Sequence, residues 1–199
     1  VLKKISLPVM LIYPVGTVLL GQTLLQRDQR VQLEQALRAS NARFRSLFED
    51  SPIAIWEEDF SLIKTQFDLL RRAGITDFKT YWKEHPQEIG KLAGLIHIIE
   101  INQASVKMLG AESKEQIRKH LPDSFTEESM KVFEDEMTAL AQGQIEFKGE
   151  IPIRNLRGEH VILDLTLNVQ SGCEETLERV LISCLDITER KRRDAELLK

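Results

Sequence analysis

Few cysteines and no signature of metal or nucleotide chemistry mark this chain of 199 residues. Cys173 and Cys184 are the only cysteines, with no CxxC spacing, so a disulfide scaffold is not expected and a reducing compartment is the simpler assumption. The four histidines, His85, His97, His120 and His160, are scattered, and none stands at a ligand spacing from another or from a cysteine. No GxxxxGK[ST], GxGxxG or GxSxG is present, which removes support for a phosphate-cradling loop or a nucleophile elbow. Repeats and low-complexity segments are also missing. A net charge of -4 gives no reason to expect nucleic acid as a partner.

What is there fits a folded domain with appendages: 42% hydrophobic and 29% charged residues. Charge is absent from Ile5 to Gln26, a window long enough to cross a membrane. Pro8, Pro14, Gly16 and Gly21 interrupt it, so the window also reads as two strands, 6–13 and 17–25, or as a buried helix. Residues 27–50 then read as one helix, with Leu33, Leu37, Ser40, Phe44 and Leu47 at heptad spacing. That stripe suits pairing with a second copy or packing on the domain that follows. Ser51 and Pro52 end the helix.

From there the periods change repeatedly. Strands are expected at 53–60, 96–101, 145–154, 159–170 and 179–187, the fourth having Val161, Leu163, Leu165, Leu167 and Val169 in strict alternation. Between the first two, three short amphipathic helices fill 61–95. Helices are also expected near 102–110, 111–120 and 126–142, the last with Met130, Val132, Phe133, Met137 and Leu140 on its apolar face. Strands joined by hairpins late in the chain imply an antiparallel sheet in an α+β layering. After the fifth strand, seven of the eight residues 189–196 are charged, and Thr188 is placed to cap the helix they form. The acidic runs Glu57, Glu58, Asp59 and Glu134, Asp135, Glu136 read as solvated surface, their members pointing in different directions.

Three motifs then tie residues 43–191 together: RFRSLFE at 43–49 followed by SPIAI at 51–55, EINQASVKMLGA at 100–111, and DITERK at 186–191. Their order and separation resemble a PAS domain with its C-terminal motif, of the kind that carries a helical insertion in bacterial sensor histidine kinases. The resemblance implies a five-stranded antiparallel sheet of order 2-1-5-4-3, helices covering one face and a pocket between. It divides the chain into a membrane segment or remnant of an upstream module (1–26), a linker helix (27–50), the PAS domain (51–188, insertion 61–95) and the start of an output helix (189–199).

The same resemblance implies a sensory role without catalysis in this stretch, Asp186, Ile187 and Thr188 relaying state to the output helix. Trp56, Ile98, Met108, Phe133 and Leu165 are the expected pocket-facing residues. Haem is not expected, because residues 126–142 contain no histidine. Photoreactive flavin is not expected either, because no cysteine stands in an Asn-Cys-Arg-Phe run. A small apolar or carboxylate ligand, or an empty core, remains. The implied partners are a second copy through the flanking helices and an output domain beyond residue 199, a histidine kinase or, failing that, a diguanylate cyclase. The implied location is cytoplasmic, with attachment to the inner membrane through 5–26.

Overall fold

A computed structural model describes residues 2–197, with side chains from residue 22 onward except that of Pro122. The chain divides into two units, Val1–Leu47 and Phe48–Lys199. The first is carried by a single helix, α1 (Leu2–Glu49). The two strands considered for residues 6–25 do not form: a continuous helix satisfies its backbone within the segment, whereas an apolar Pro-Val-Gly turn supplies no side chain to stabilise a hairpin. Most of the side chains that would decide membrane insertion of 5–26 lie outside the described residues. Among those described, no helix is long and apolar enough to cross a membrane. Leu33, Leu37, Phe44 and Leu47 of the heptad stripe are all exposed.

The second unit is built on one antiparallel sheet. Its strands are β1 (Ala54–Asp59), β2 (His97–Ile101), β3 (Glu146–Arg154), β4 (His160–Val169) and β5 (Val180–Asp186). They lie in the order β2-β1-β5-β4-β3. Alternation decides which face is covered: Ala54, Trp56 and Glu58 of β1, Val161, Leu163, Leu165, Leu167 and Val169 of β4, and Val180, Ile182 and Cys184 of β5 are buried together. Pro152 is tolerated because β3 is an edge strand, where a missing N–H costs no ladder bond.

Helices occupy the intervals between strands. After β1 come α2 (Ser61–Arg72), α3 (Phe78–Glu84) and α4 (Pro86–Ala93), the inserted group. Gly74, at φ +90, makes the left-handed exit from the first of these. Phe67, Phe78 and Trp82 interlock at centroid separations of 5.9 and 5.8 Å, an aromatic core for the insertion. After β2 follow α5 (Gln103–Met108), α6 (Lys114–His120) and a 3-10 turn (Leu121–Ser124). Then comes α7 (Glu127–Ala141), against which α3 and α4 pack. Thr126 and Ser129 form a reciprocal capping box at its start. The chain ends in α8 (Thr188–Leu197).

Candidate functional site

Between α7 and the covered face of the sheet lies a cavity of about 60 Å³. Apolar side chains form most of it: Leu109 from the end of α5, Phe133 from α7, Ile151 and Ile153 from β3, Leu163 and Leu165 from β4, Ile182 from β5. A second groove of about 290 Å³ adjoins it, lined by Ala93, His97, Ile98 and Arg118 among others. Ile96, Leu121 and Phe125 line both spaces, so they form the wall between groove and cavity.

Two carboxyl groups stand in this apolar cavity. Glu58 and Glu136 are each only 4% exposed, and both line it. The acidic triplets containing them are therefore not wholly solvated surface, as expected from sequence. On β1 a period of two puts Glu58 on the face of Trp56, while Glu57 on the opposite face meets Arg179 at 3.3 Å and Gln170 at 3.1 Å. On α7 a step of three puts Glu136 in the stripe of Phe133, with Met137 and Leu140 completing it. The β1–β2 register slips between Glu57, opposite Glu100, and Glu58, opposite Ile98. A bulge of this kind re-aims side chains locally.

Burial dominates the electrostatics. Desolvation pushes the Glu58 carboxyl up to about 8, opposed in part by a hydrogen bond from the Trp56 side chain. Desolvation also raises Glu136 well above the ordinary carboxylate range, and the nearby Glu58 raises it further. No cationic side chain among the described residues offsets either group. Burial and the same two glutamates push the Cys184 thiol up, so it stays protonated and unreactive. Ser124, 2% exposed and also lining the cavity, has a hydroxyl oxygen with no hydrogen-bond partner.

The expected pocket residues divide. Trp56, Phe133 and Leu165 line the cavity, Ile98 lines the adjoining groove, and Met108 is half-buried against the core without lining either. Glu58, Ser124 and Glu136 were missed. For the glutamates, strand parity with Trp56 and helical spacing from Phe133 were the available signals, overruled by the acidity of the local run. For Ser124 no local signal exists, since its lack of a partner is a property of the packed fold.

The second feature is the joint that leads out of the sheet. The Thr188 hydroxyl does not cap α8, as expected from sequence; it accepts the Ile162 N–H at 2.9 Å. The Ile187 N–H donates to the Ile162 carbonyl at 2.9 Å, and Ile187 is buried. The Asp186 carboxylate takes over the capping role, accepting the Thr188 N–H at 2.9 Å. Lys191, one turn into α8, pairs with Glu150 on β3 at 2.6 Å. The start of α8 is thus fastened to β4 and β3 by backbone, hydroxyl and charge.

A corresponding joint leads in. Asn102 is fully buried, and its side-chain oxygen accepts from the Ile55 N–H, the Ser105 N–H and the Ser105 hydroxyl at 3.1, 3.0 and 2.8 Å. Its amide donates to the carbonyls of Phe48 and Ile53 at 3.1 and 2.8 Å. One side chain therefore caps α5 and holds the last turn of α1 against the start of β1. Lys114 adds ion pairs to Glu49 and, at 3.1 Å, to Glu100.

Residues 96–192, from the edge of β2 to the first turn of α8, match a family model described as the PAS fold. No curated protein matches the chain. Among solved structures, an RNA-binding light-oxygen-voltage receptor is 16% identical, with 79% of this chain and 36% of that one covered and a TM-score of 0.52. The PAS domain of an HTR-like protein from Haloarcula marismortui is 17% identical over 78% of this chain and 98% of that one, with a TM-score of 0.49. A LOV domain from a blue-light activated histidine kinase of Erythrobacter litoralis is 13% identical over 69% of this chain and 97% of that one, with a TM-score of 0.44. With the sheet order, the covering helices and the matched segment in agreement, the sheet unit has the PAS fold and its residues 96–192 belong to the PAS-fold family.

Proposed function

We propose that this chain is the signal-input part of a larger signalling protein, in which the state of the central cavity biases the helix that leaves the sheet. The observation that carries this reading is continuity. Ile182 and Cys184 line the cavity on β5, and two residues further along the same strand Asp186 opens the joint to α8. Leu163, which also lines the cavity, is paired in register with Asp186. A shift of the cavity wall therefore reaches the start of α8 without an intervening loop. Coupling of this sort requires two arrangements of the joint that a bound molecule distinguishes.

The output lies beyond residue 199 in this reading and is a histidine kinase, with a diguanylate cyclase as the alternative. The heptad stripe of α1 pairs with a second copy, and residues 5–26 attach the protein to the inner membrane with the PAS domain in the cytoplasm. The PAS domain itself performs no catalysis. To test the relay, single cysteines are placed along α8 in the full chain and disulfide crosslinking between copies is compared for wild type and Asp186→Ala. A changed crosslinking pattern supports the relay. Identical patterns, with and without candidate ligands, overturn it.

The small size of the cavity favours a second reading, a ligand-free dimerisation or spacer domain. Native mass spectrometry of the purified chain separates the two: a retained small molecule supports sensing, and a bare chain supports the spacer.

A further inference from the structure

We propose that the central cavity is a binding site for a small primary amine in its ammonium form, held between Glu58, Glu136 and Ser124 with its short alkyl body against the apolar walls. The inference rests on the reading of this unit as a sensor and adds the class of ligand.

The cavity holds three buried oxygen-bearing side chains from three different elements: Glu58 on β1, Glu136 on α7 and Ser124 on the 3-10 turn. Their combined need is for donors and positive charge. Buried carboxyl groups are stable when paired with a cation and fully hydrogen-bonded, and no cationic side chain among the described residues does this. The Ser124 hydroxyl, 2% exposed, has no partner either. A primary ammonium carries one charge and three donors, enough to address Glu58, Glu136 and Ser124 together.

The rest of the lining sets the body of the ligand. Trp56 and Phe133 offer aromatic surface to a cation, and Leu109, Ile151 and Leu165 suit a hydrocarbon chain. At about 60 Å³ the cavity is well below the roughly 150 Å³ of a void that takes benzene, which limits the buried body to a few carbons. A longer tail would pass the wall made by Ile96, Leu121 and Phe125 into the adjoining groove. Arg118 lines that groove and not the cavity, and its guanidinium already donates to the Ile99 carbonyl at 3.1 Å and meets Glu115 at 3.4 Å. The expectation of a carboxylate ligand is the hardest to reconcile with this lining, because a third acid would enter beside two that already resist ionisation.

The test compares four molecules of similar size on the full chain: ethylamine and n-propylamine as hydrochlorides, n-propanol, and sodium propionate, at matched ionic strength. Isothermal titration calorimetry and thermal unfolding are read together, because a ligand that binds only the folded state raises the midpoint. Saturable binding of an amine, with n-propanol and propionate at least about tenfold weaker, supports the site. Glu58→Gln and Glu136→Gln, near-isosteric changes, are expected to weaken amine binding by at least about thirtyfold each. Propanol or propionate binding as well as the amines overturns the amine assignment while leaving a ligand-sensing domain in place. No saturable binding of either amine up to about 10 mM overturns it as well, and the relay is then judged separately by the Asp186→Ala crosslinking. If either glutamine variant fails to fold, the comparison of the four molecules on wild type decides alone.

Discussion

Two sets of polar side chains are buried in the same core, and they are treated in opposite ways. Asn102 fills its donors and acceptors with five hydrogen bonds to neighbouring chain segments. Glu58, Glu136 and Ser124 sit in an apolar cavity with no cation and, for the serine, no partner at all. A satisfied network specifies which segments meet, so its polarity is structural. Two carboxyl groups buried without a cation, beside a hydroxyl without a partner, carry a cost of desolvation that the Asn102 network avoids.

The sharpest way to break the contrast is Asn102→Ala. It would take the side-chain partner from the half-buried Ile55 N–H, the buried Ser105 N–H and the Phe48 carbonyl, and one of the two donors from the Ile53 carbonyl. The expected loss is roughly 4 kcal/mol in urea unfolding of the full chain, at the upper end for a single substitution. A loss below about 1 kcal/mol would show that water or local rearrangement replaces the network, and the two regions would no longer differ in kind.

The cavity should answer to pH where the Asn102 network does not. Glu58 titrates near 8 in the fold against 4.5 for an ordinary glutamate, so between those values the folded state holds more protons than the unfolded one. Stability must therefore fall as pH rises through that window, and level off above the folded value. One such group removes up to about 1.4 kcal/mol per pH unit, or roughly 2–3 kcal/mol between about pH 5.5 and 7.5. Glu136, raised in the same direction, acts with the same sign. Glu58→Gln combined with Glu136→Gln should flatten the slope and leave the protein more stable than wild type above about pH 8. A wild-type stability that rises across this window would place cations in the cavity instead.

This contrast explains what was legible from sequence. The sheet was legible because each strand advertises its buried face by alternation, as Val161 to Val169 does, and the hairpins advertise their turns. The glutamates obeyed the same periodicities, Glu58 with Trp56 and Glu136 with Phe133, yet a run of three acidic residues outweighed them. The Thr188 hydroxyl read locally as a cap. Its acceptor role is set by Ile162, 26 positions away, and no local pattern can express that. Of the residues expected to face a pocket, Trp56, Phe133 and Leu165 sit where strand alternation or long-helix spacing turns them inward, whereas Met108, on a helix of six residues, had too little periodicity to fix its direction.

The joint between β5 and α8 gives an intermediate case, since its polar groups are satisfied but lie at the surface. Thr188→Val keeps the shape and removes the acceptor for the Ile162 N–H. The expected cost is about 1–1.5 kcal/mol, with faster amide exchange at Ile162. Unchanged exchange there would mean that β4 does not depend on the start of α8, and the continuity between cavity and helix would be broken at that point.

Ser124→Ala should have the smallest effect and yet separates the two classes most cleanly. An ordinary buried hydroxyl takes part in a hydrogen bond, and its loss costs about 1 kcal/mol or more. The Ser124 hydroxyl has no partner, so removing it takes away an unmet desolvation cost and no bond. The expected change in unfolding free energy is within about 0.5 kcal/mol of zero or slightly stabilising. Loss of about 1 kcal/mol would show that the hydroxyl is bonded in solution, to water or to a neighbouring carboxyl, and Ser124 would pass from the unsatisfied set to the satisfied one. Neutrality toward folding combined with weaker amine binding is the pairing that a side chain kept for a ligand should give.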